Sequence, residues 1–104
     1  MESVYEEALC HELSLKKIEF LRQQSVPICY KNIKIASNLR LDLLVKQKVI
    51  VDLKAKELLS PIDKPKLLTY LLLSNLHLGL IINFHVKYLK NGVKRVVNNL
   101  SETK

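Results

Sequence analysis

The sequence predicts an α/β fold, α+β-like in its element order, with helices flanking a mixed central β-sheet. Apolar residues first recur at three- and four-residue steps, as on a helix face, and later alternate or run continuously, as in strands. The strand-like segments form two groups around a second helical segment, so the predicted order is αβββαββ. With only 2 Gly and 3 Pro, long linkers are not expected, and residues 1–98 are predicted to form a single domain with a frayed tail at 99–104.

The first half of the chain is predicted to contain a helix and three strands. Residues 2–17 place apolar side chains at helical spacing. Residues 18–30 alternate around a proline, which indicates one bent strand or two short ones. A second strand opens at Ile33 and resumes at Leu39–Val45, and a short polar link leads to a third strand at 49–54. Because this third strand begins apolar on both faces, we expect it at the centre of the sheet.

The second half is predicted to contain a helix and two strands. The helix begins after a loop, in which Ser60 or Asp63 can cap it, and ends near Ser74. Strands follow at 78–84 and, after an Asn-Gly turn, at 93–97. The step from the third strand through this helix to the fourth strand predicts a right-handed parallel crossover.

Charge and composition limit the classes of function. The chain has 17 Lys and Arg against 10 Asp and Glu, and this net charge of +7 favours a nucleic-acid partner, although a solvated surface explains it equally well. No apolar run approaches the roughly 20 residues of a membrane span, and the acidic start is unlike a signal peptide, so we predict a cytoplasmic protein with no membrane partner. Nucleotide-binding glycine motifs and a nucleophile elbow are absent from the sequence. Cys10, Cys29 and the three scattered histidines lack metal-ligand spacing.

Two acids lie in neighbouring predicted strands. If residues 46–48 link a hairpin, an ideal register places Asp42 opposite Asp52, and Lys54 points to the same face. Adjacent carboxylates repel each other, and Mg²⁺ (or Mn²⁺) held by both, with one backbone carbonyl, removes the conflict. Lys54 could then orient a water or stabilise phosphate charge. The alternative is that Asp42 and Asp52 form ordinary ion pairs with Arg40 and Lys54.

Six segments carry a family resemblance that covers about residues 2–98. They are the ExxY motif from Glu2 to Tyr5, and the segments 40–45, 51–55, 67–71, 79–84 and 92–98. In this order they resemble the GxxExxY proteins, a family similar to the PD-(D/E)XK nuclease superfamily with its restriction-endonuclease-like core. The resemblance implies the same fold class that the periodicity predicts.

The resemblance also implies a metal-dependent, nuclease-like activity and roles for the matched positions. Asp42, Asp52 and Lys54 would be the catalytic residues. The metal ligands would be Asp42, Asp52, the backbone carbonyl of Leu53 and Glu2 on the first helix. The residues expected to contact the substrate are Arg40, Lys66 and Tyr70.

Departures from the family pattern keep other functions open. Lys66 stands where the family has Gln, Asp52 replaces the usual Glu, and the family's earlier helix and Gly have no counterpart before Glu2. We therefore expect either a nuclease or a catalytically inactive nucleic-acid-binding or protein-interaction module on the same fold. As an amino-terminally short copy, such a module would need a homodimer or a partner chain to cover the surface left open.

Overall fold

The computed structural model describes residues 2–98, and the side chains of these residues apart from 27–30, 35–39 and 89. The tail expected at 99–104 lies outside the described residues. Within residues 2–98, no helix is long and apolar enough to cross a membrane. Two helices and five strands occur there in the predicted order. They are α1, Glu2–Leu15; β1, Phe20–Tyr30; β2, Ile33–Val45; β3, Val49–Lys54; α2, Asp63–Ser74; β4, Leu78–Asn83; and, after a short 3₁₀ helix at Leu89–Gly92, β5, Val93–Val97.

The five strands form one mixed sheet in the order β1-β2-β3-β4-β5. β3 and β4 are parallel, with Val49 opposite Leu78 and Lys54 opposite Asn83, and the other neighbouring pairs are antiparallel. The predicted mixed sheet with flanking helices is therefore confirmed, and the third strand lies at its centre, as expected. α2 connects the two parallel strands, as the spacing predicted.

Residues with a left-handed backbone form both hairpin links. Lys31 and Asn32 have φ of 51° and 66°, the conformation that two-residue hairpin links favour because it matches the twist of the strands. Lys46 and Gln47, between β2 and β3, have φ of 53° and 55°. β1 is a single strand whose register shifts directly after Pro27, so of the two alternatives the chain adopts the bent strand.

Alternation along β3 divides the core into two layers. Ile50 packs on the α2 side of the sheet, whereas Val51 and Leu53 pack on the α1 side. Because side chains alternate along a strand, Asp52 and Lys54 continue the α2 face beyond Ile50. The core on the α2 side contains Leu41, Ile50, Leu67, Leu71, Ile81 and Val96, and the core on the α1 side contains Cys10, Leu43, Val51 and Leu53.

Two helix ends differ from the prediction. α1 ends at Leu15, before the predicted limit, because Lys17 adopts a positive φ of 58°. At the start of α2, Ile62 occupies the N-cap position and no side-chain hydrogen bond caps the helix there. The Ser60 hydroxyl instead accepts the Ile62 N–H at 3.3 Å, and the Asp63 carboxylate accepts the Ser60 N–H at 2.7 Å. The predicted cap is wrong because both side chains close the loop that precedes the helix.

Candidate active site

One cavity gathers the side chains that the sequence singled out. Its volume is about 140 Å³, and its walls come from β2, β3, α2 and the first residue of α1. The fold thereby brings together positions that lie far apart along the chain. The predicted side chains in its lining are Glu2, Arg40, Asp42, Asp52, Lys54, Lys66 and Tyr70.

The pairing of β2 with β3 explains how the two acids meet. Leu43 pairs with Val51 in the predicted register, and the next step of that register brings Asp42 to Asp52. There the Asp42 carboxylate, through Oδ2, accepts the backbone N–H of Leu53 at 2.9 Å. The N–H and carbonyl of one strand residue point to the same side, so the Leu53 carbonyl is also directed toward β2. Two carboxylates and a backbone carbonyl are thus concentrated at the end of β3.

The environment of Asp52 disfavours its negative charge. Burial has the largest effect and raises the pKa of the Asp52 carboxyl to about 6, from an ordinary value of 3.8. The positive charge of Lys54 opposes this rise, whereas a side-chain hydrogen bond with Asp42 and the negative charge of Asp42 add to it, and Lys66 lowers the pKa again. At neutral pH, a positive charge beside Asp42 and Asp52 would therefore stabilise the two carboxylates.

The Lys54 ammonium provides a positive charge beside Asp52. Its Nζ lies 3.6 Å from Asp52 Oδ1 and 4.0 Å from Asp63 Oδ1, and only 17% of its side chain is exposed. The ion-pair alternative is therefore correct for Asp52 and Lys54. It is wrong for Asp42 and Arg40, because within residues 2–98 no ion pair joins them: the Asp42 carboxylate is instead directed to the Leu53 N–H.

Asp63 is a neighbour of the site that the sequence did not reveal. It is buried, and Lys56 Nζ lies 2.8 Å from its Oδ2. Burial alone would raise the pKa of Asp63, but the hydrogen bonds from Lys56 and from the Ser60 N–H, together with the charges of Lys56 and Lys54, lower it below its usual value. A buried anion thus lies beside the Lys54 ammonium. No spacing signal could have found it, because a loop separates it from β3.

Asn83 fixes the chain directly after Lys54. Its Oδ1 accepts the Lys56 N–H at 3.1 Å and the His85 N–H at 3.2 Å, and its Nδ2 donates to the Lys56 carbonyl at 2.9 Å. The side chain is buried at the end of β4. Asn83 belongs to a segment that carried the family resemblance, but its alternating position in a strand gave no hint of this bonding.

α2 contributes a cation and an aromatic ring. Lys66 and Tyr70 lie four residues apart, on one face of the helix, and Lys66 Nζ lies 5.7 Å from the centre of the Tyr70 ring. Lys66 also lies close enough to lower the pKa of Asp52. Both side chains, together with Arg40, therefore line the cavity that contains the carboxylate pair.

The donor atoms in the cavity suit a hard divalent cation. Asp42 and Asp52 offer carboxylate oxygens, the ligand type that Mg²⁺ and Mn²⁺ prefer, and Mg²⁺ usually keeps several waters. Leu53, whose carbonyl was predicted as a further ligand, is not in the cavity lining, although its N–H contacts Asp42. Glu2 lies in the lining, but among the described residues no group of three or more Asp, Glu, His or Cys side chains is placed to bind a metal. Among the described side chains, the fit therefore rests on two carboxylates, with water completing the coordination.

Comparison with known proteins identifies a matching protein family. A family model described as the PD-(D/E)XK nuclease superfamily matches residues 1–96. No curated protein and no solved structure matches the chain.

Proposed function

Because the chain belongs to the PD-(D/E)XK nuclease superfamily, we propose that it is a metal-dependent nuclease that hydrolyses nucleic-acid phosphodiester bonds. The observation that carries the proposal is the meeting of Asp42, Asp52 and Lys54 in one cavity that basic side chains border. Family membership supports a nuclease-like domain, and the geometry supports these residues as its reacting groups. Assignment to the GxxExxY proteins and a cytoplasmic location both stay predictions.

In this proposal, Asp42, Asp52 and the Leu53 carbonyl would hold Mg²⁺ or Mn²⁺. Glu2 lines the cavity but does not form a three-ligand group with the two aspartates, so it is not assigned to the ion. The ion, when bound, lowers the pKa of a water and neutralises phosphate charge. Asp42 is already oriented by the Leu53 N–H, so little reorganisation is needed for it to bind the ion.

Lys54 acts on the phosphate. Its ammonium lies within 4.0 Å of both Asp52 and Asp63. In this proposal it donates a hydrogen bond to a non-bridging phosphate oxygen whose charge grows as water attacks phosphorus. Water adds to phosphorus and releases one proton to solvent, the bond to the leaving sugar oxygen breaks, and a solvent proton neutralises that oxygen. Arg40 and Lys66 bind flanking phosphates, and Tyr70 limits the cavity on the α2 side.

The alternative is an inactive nucleic-acid-binding or protein-interaction module on this fold. The observation in its favour is that no third metal-binding side chain joins Asp42 and Asp52 among residues 2–98. A homodimer or a partner chain is proposed with it, because a wholly apolar cavity of about 240 Å³ borders α1, formed by Leu9, Leu13 and residues of β2, β3 and β4. Light scattering of the purified protein would determine the oligomeric state.

Cleavage of a panel of DNA and RNA in Mg²⁺, Mn²⁺ or EDTA tests the proposal. Asp42→Asn and Lys54→Ala should each lower the rate by about 100-fold or more, the loss typical of removing one electrostatic contact to the reacting atoms. Lys56→Ala is the matched control, because Lys56 also contacts Asp63 but is not part of the cavity lining. It should retain most of the activity.

Two results would contradict the proposal. One is the absence of cleavage in every metal, and the other is cleavage that both site variants retain. Binding of nucleic acid that persists in EDTA, without cleavage in any metal, would favour the inactive module.

A further inference from the structure

The hairpin formed by β1 and β2 extends beyond the ends of the other three strands, which are only about half as long. β2 has 13 residues, but only Leu43, Leu44 and Val45 pair with β3. From Leu41 back to Ile33, the ladder partner of β2 is β1, up to the link at Lys31 and Asn32. We call residues 25–40 the hairpin arm. From the Ser25–Arg40 pair to the link, it is about six residues long, on the order of 20 Å at the usual rise of a strand.

The arm begins at the candidate active site. Arg40, at its base, lines the same cavity as Asp42, which follows it in β2. On the other strand, Val26 packs against the α2-side core, so the base of the arm is braced by the body of the domain. A ligand that extends from the cavity past Arg40 would therefore meet the base of the arm.

The arm carries positive charge only. From Phe20 to Leu41 the chain has four bases and no acid. One of them, Arg22, lies outside the arm and pairs with the buried Glu6 at 2.9 Å. The other three are Arg40 at the base and Lys31 and Lys34 at the exposed tip. Their charge is complementary to a line of phosphates that leads away from the cavity.

We propose that the hairpin arm binds the major groove of double-stranded DNA, so that the substrate of the proposed nuclease is a B-form duplex; this rests on the proposed function. A two-stranded β-ribbon fits the B-DNA major groove, about 12 Å wide. At about 3.4 Å per base pair, the arm extends along about six base pairs from the cavity. The major groove of duplex RNA is too narrow and deep for a ribbon.

The aromatic side chains that the structure describes offer little stacking surface for a single-stranded substrate outside the cavity, where Tyr70 is half-buried. Proteins that bind single strands stack bases on exposed aromatic rings. Here Tyr5 and Phe84 stack on each other, with ring centres 4.6 Å apart, and Phe20 packs against the α1-side core. Among the aromatic side chains that the structure describes, only Tyr88 is exposed, and it is not in the cavity lining. The exposed Ile33 at the arm's tip suits apolar contact with base edges in a groove.

The test compares two double variants that change charge equally at opposite ends of β2. Lys31→Glu with Lys34→Glu alters the arm's tip, and Lys46→Glu with Lys48→Glu alters the link between β2 and β3. Each pair contains one lysine with positive φ, and all four side chains are exposed. Fluorescence anisotropy in EDTA would measure binding to a 20-base-pair DNA duplex, to its single strand and to an RNA duplex of the same length.

The tip variant should lose about tenfold or more in affinity for duplex DNA, whereas the link variant should lose at most about threefold. The slope of log affinity against log salt should become shallower by about 2 in the tip variant, because each lost phosphate contact removes about 0.9. Wild-type protein should bind duplex DNA more tightly than the single strand or the RNA duplex. Circular dichroism and the urea midpoint would check that both variants are folded.

Several results would overturn the inference. Equal losses of affinity in the two variants would mean that only the net charge of the protein matters. Unchanged affinity of the tip variant would exclude the arm as a DNA-binding element. Equal or tighter binding of single strands or duplex RNA would exclude the B-form duplex. A change of oligomeric state in the tip variant would make the arm an interface between copies of the chain. Failure of the proposed function is distinct, because cleavage would then be absent while the arm's effect on duplex binding remained.

Discussion

Replacing Asp52 by Asn should stabilise the metal-free protein even though it removes a proposed ligand. The pKa of Asp52 is raised to about 6 from 3.8, so the folded state binds this proton more tightly than the unfolded state does. The charged carboxylate therefore destabilises the fold above about pH 6, and the effect disappears as the pH falls below 3.8. A shift of about two units corresponds to roughly 3 kcal/mol. Since 21% of the side chain is exposed, we expect a gain of about 1–3 kcal/mol.

Urea unfolding in EDTA at pH 7.5 and at pH 4 would measure this gain. Asp52→Asn should raise the free energy of unfolding at pH 7.5, and most of the gain should be lost at pH 4, where wild-type Asp52 is protonated in the folded state. Asp63→Asn is the opposing control. The pKa of Asp63 is lowered, so its charge stabilises the fold above the unfolded pKa, and this variant should be destabilised at pH 7.5. A destabilised Asp52→Asn, or a gain that does not depend on pH, would refute the reasoning.

Three further predictions concern the metal, the loop after β3 and the turn before β5. Mg²⁺ at 100 times its dissociation constant should raise the free energy of unfolding of wild-type protein by about 2–3 kcal/mol. Calorimetric unfolding should show no such rise for Asp42→Asn, and an equal rise in both proteins would exclude the carboxylate pair as the binding site. Asn83→Ala should cost about 2–3 kcal/mol in urea unfolding because it removes the bonds to Lys56 and His85, and a cost below about 0.5 kcal/mol would contradict that role. Gly92→Ala should destabilise by more than about 2 kcal/mol, because its Cβ would collide with the backbone carbonyl oxygen of Asn83; a thermal midpoint within about 2 °C of wild type would argue against this packing.

The position of the candidate site was predictable because strand alternation and a short link determine register. A hairpin through the polar residues 46–48 implies one ideal register, and the ladder from Val45–Val49 to Leu43–Val51 has that register. The apolar start of β3 predicted cover on both faces, which two helices provide. Local spacing therefore sufficed to place the two acids and Lys54 beside each other, whereas their roles stay a prediction that came from the family resemblance.

The surroundings of the site were not predictable, because they depend on contacts between distant segments. Asp63 meets Lys54 only after a loop returns α2 to the end of β3, and no local pattern specifies that return. The bonds of Asn83 to Lys56 likewise connect separate strand ends. The composition suggested that Ser60 or Asp63 would cap a helix, but both side chains close a loop instead. The length of the β1–β2 hairpin was not predictable either, because the sequence around Pro27 allowed one bent strand or two short ones.

The most direct test is the rate of phosphodiester cleavage as a function of Mg²⁺ concentration, for wild-type protein and Asp52→Asn purified identically. The account predicts a rate that rises and saturates with Mg²⁺ for wild type and stays at background for the variant. Because Asp52→Asn is expected to be at least as stable as wild type, its inactivity could not be attributed to unfolding. Equal Mg²⁺-dependent rates for both proteins, or no cleavage by either, would contradict the claim that Asp42, Asp52 and Lys54 form a metal-dependent nuclease site.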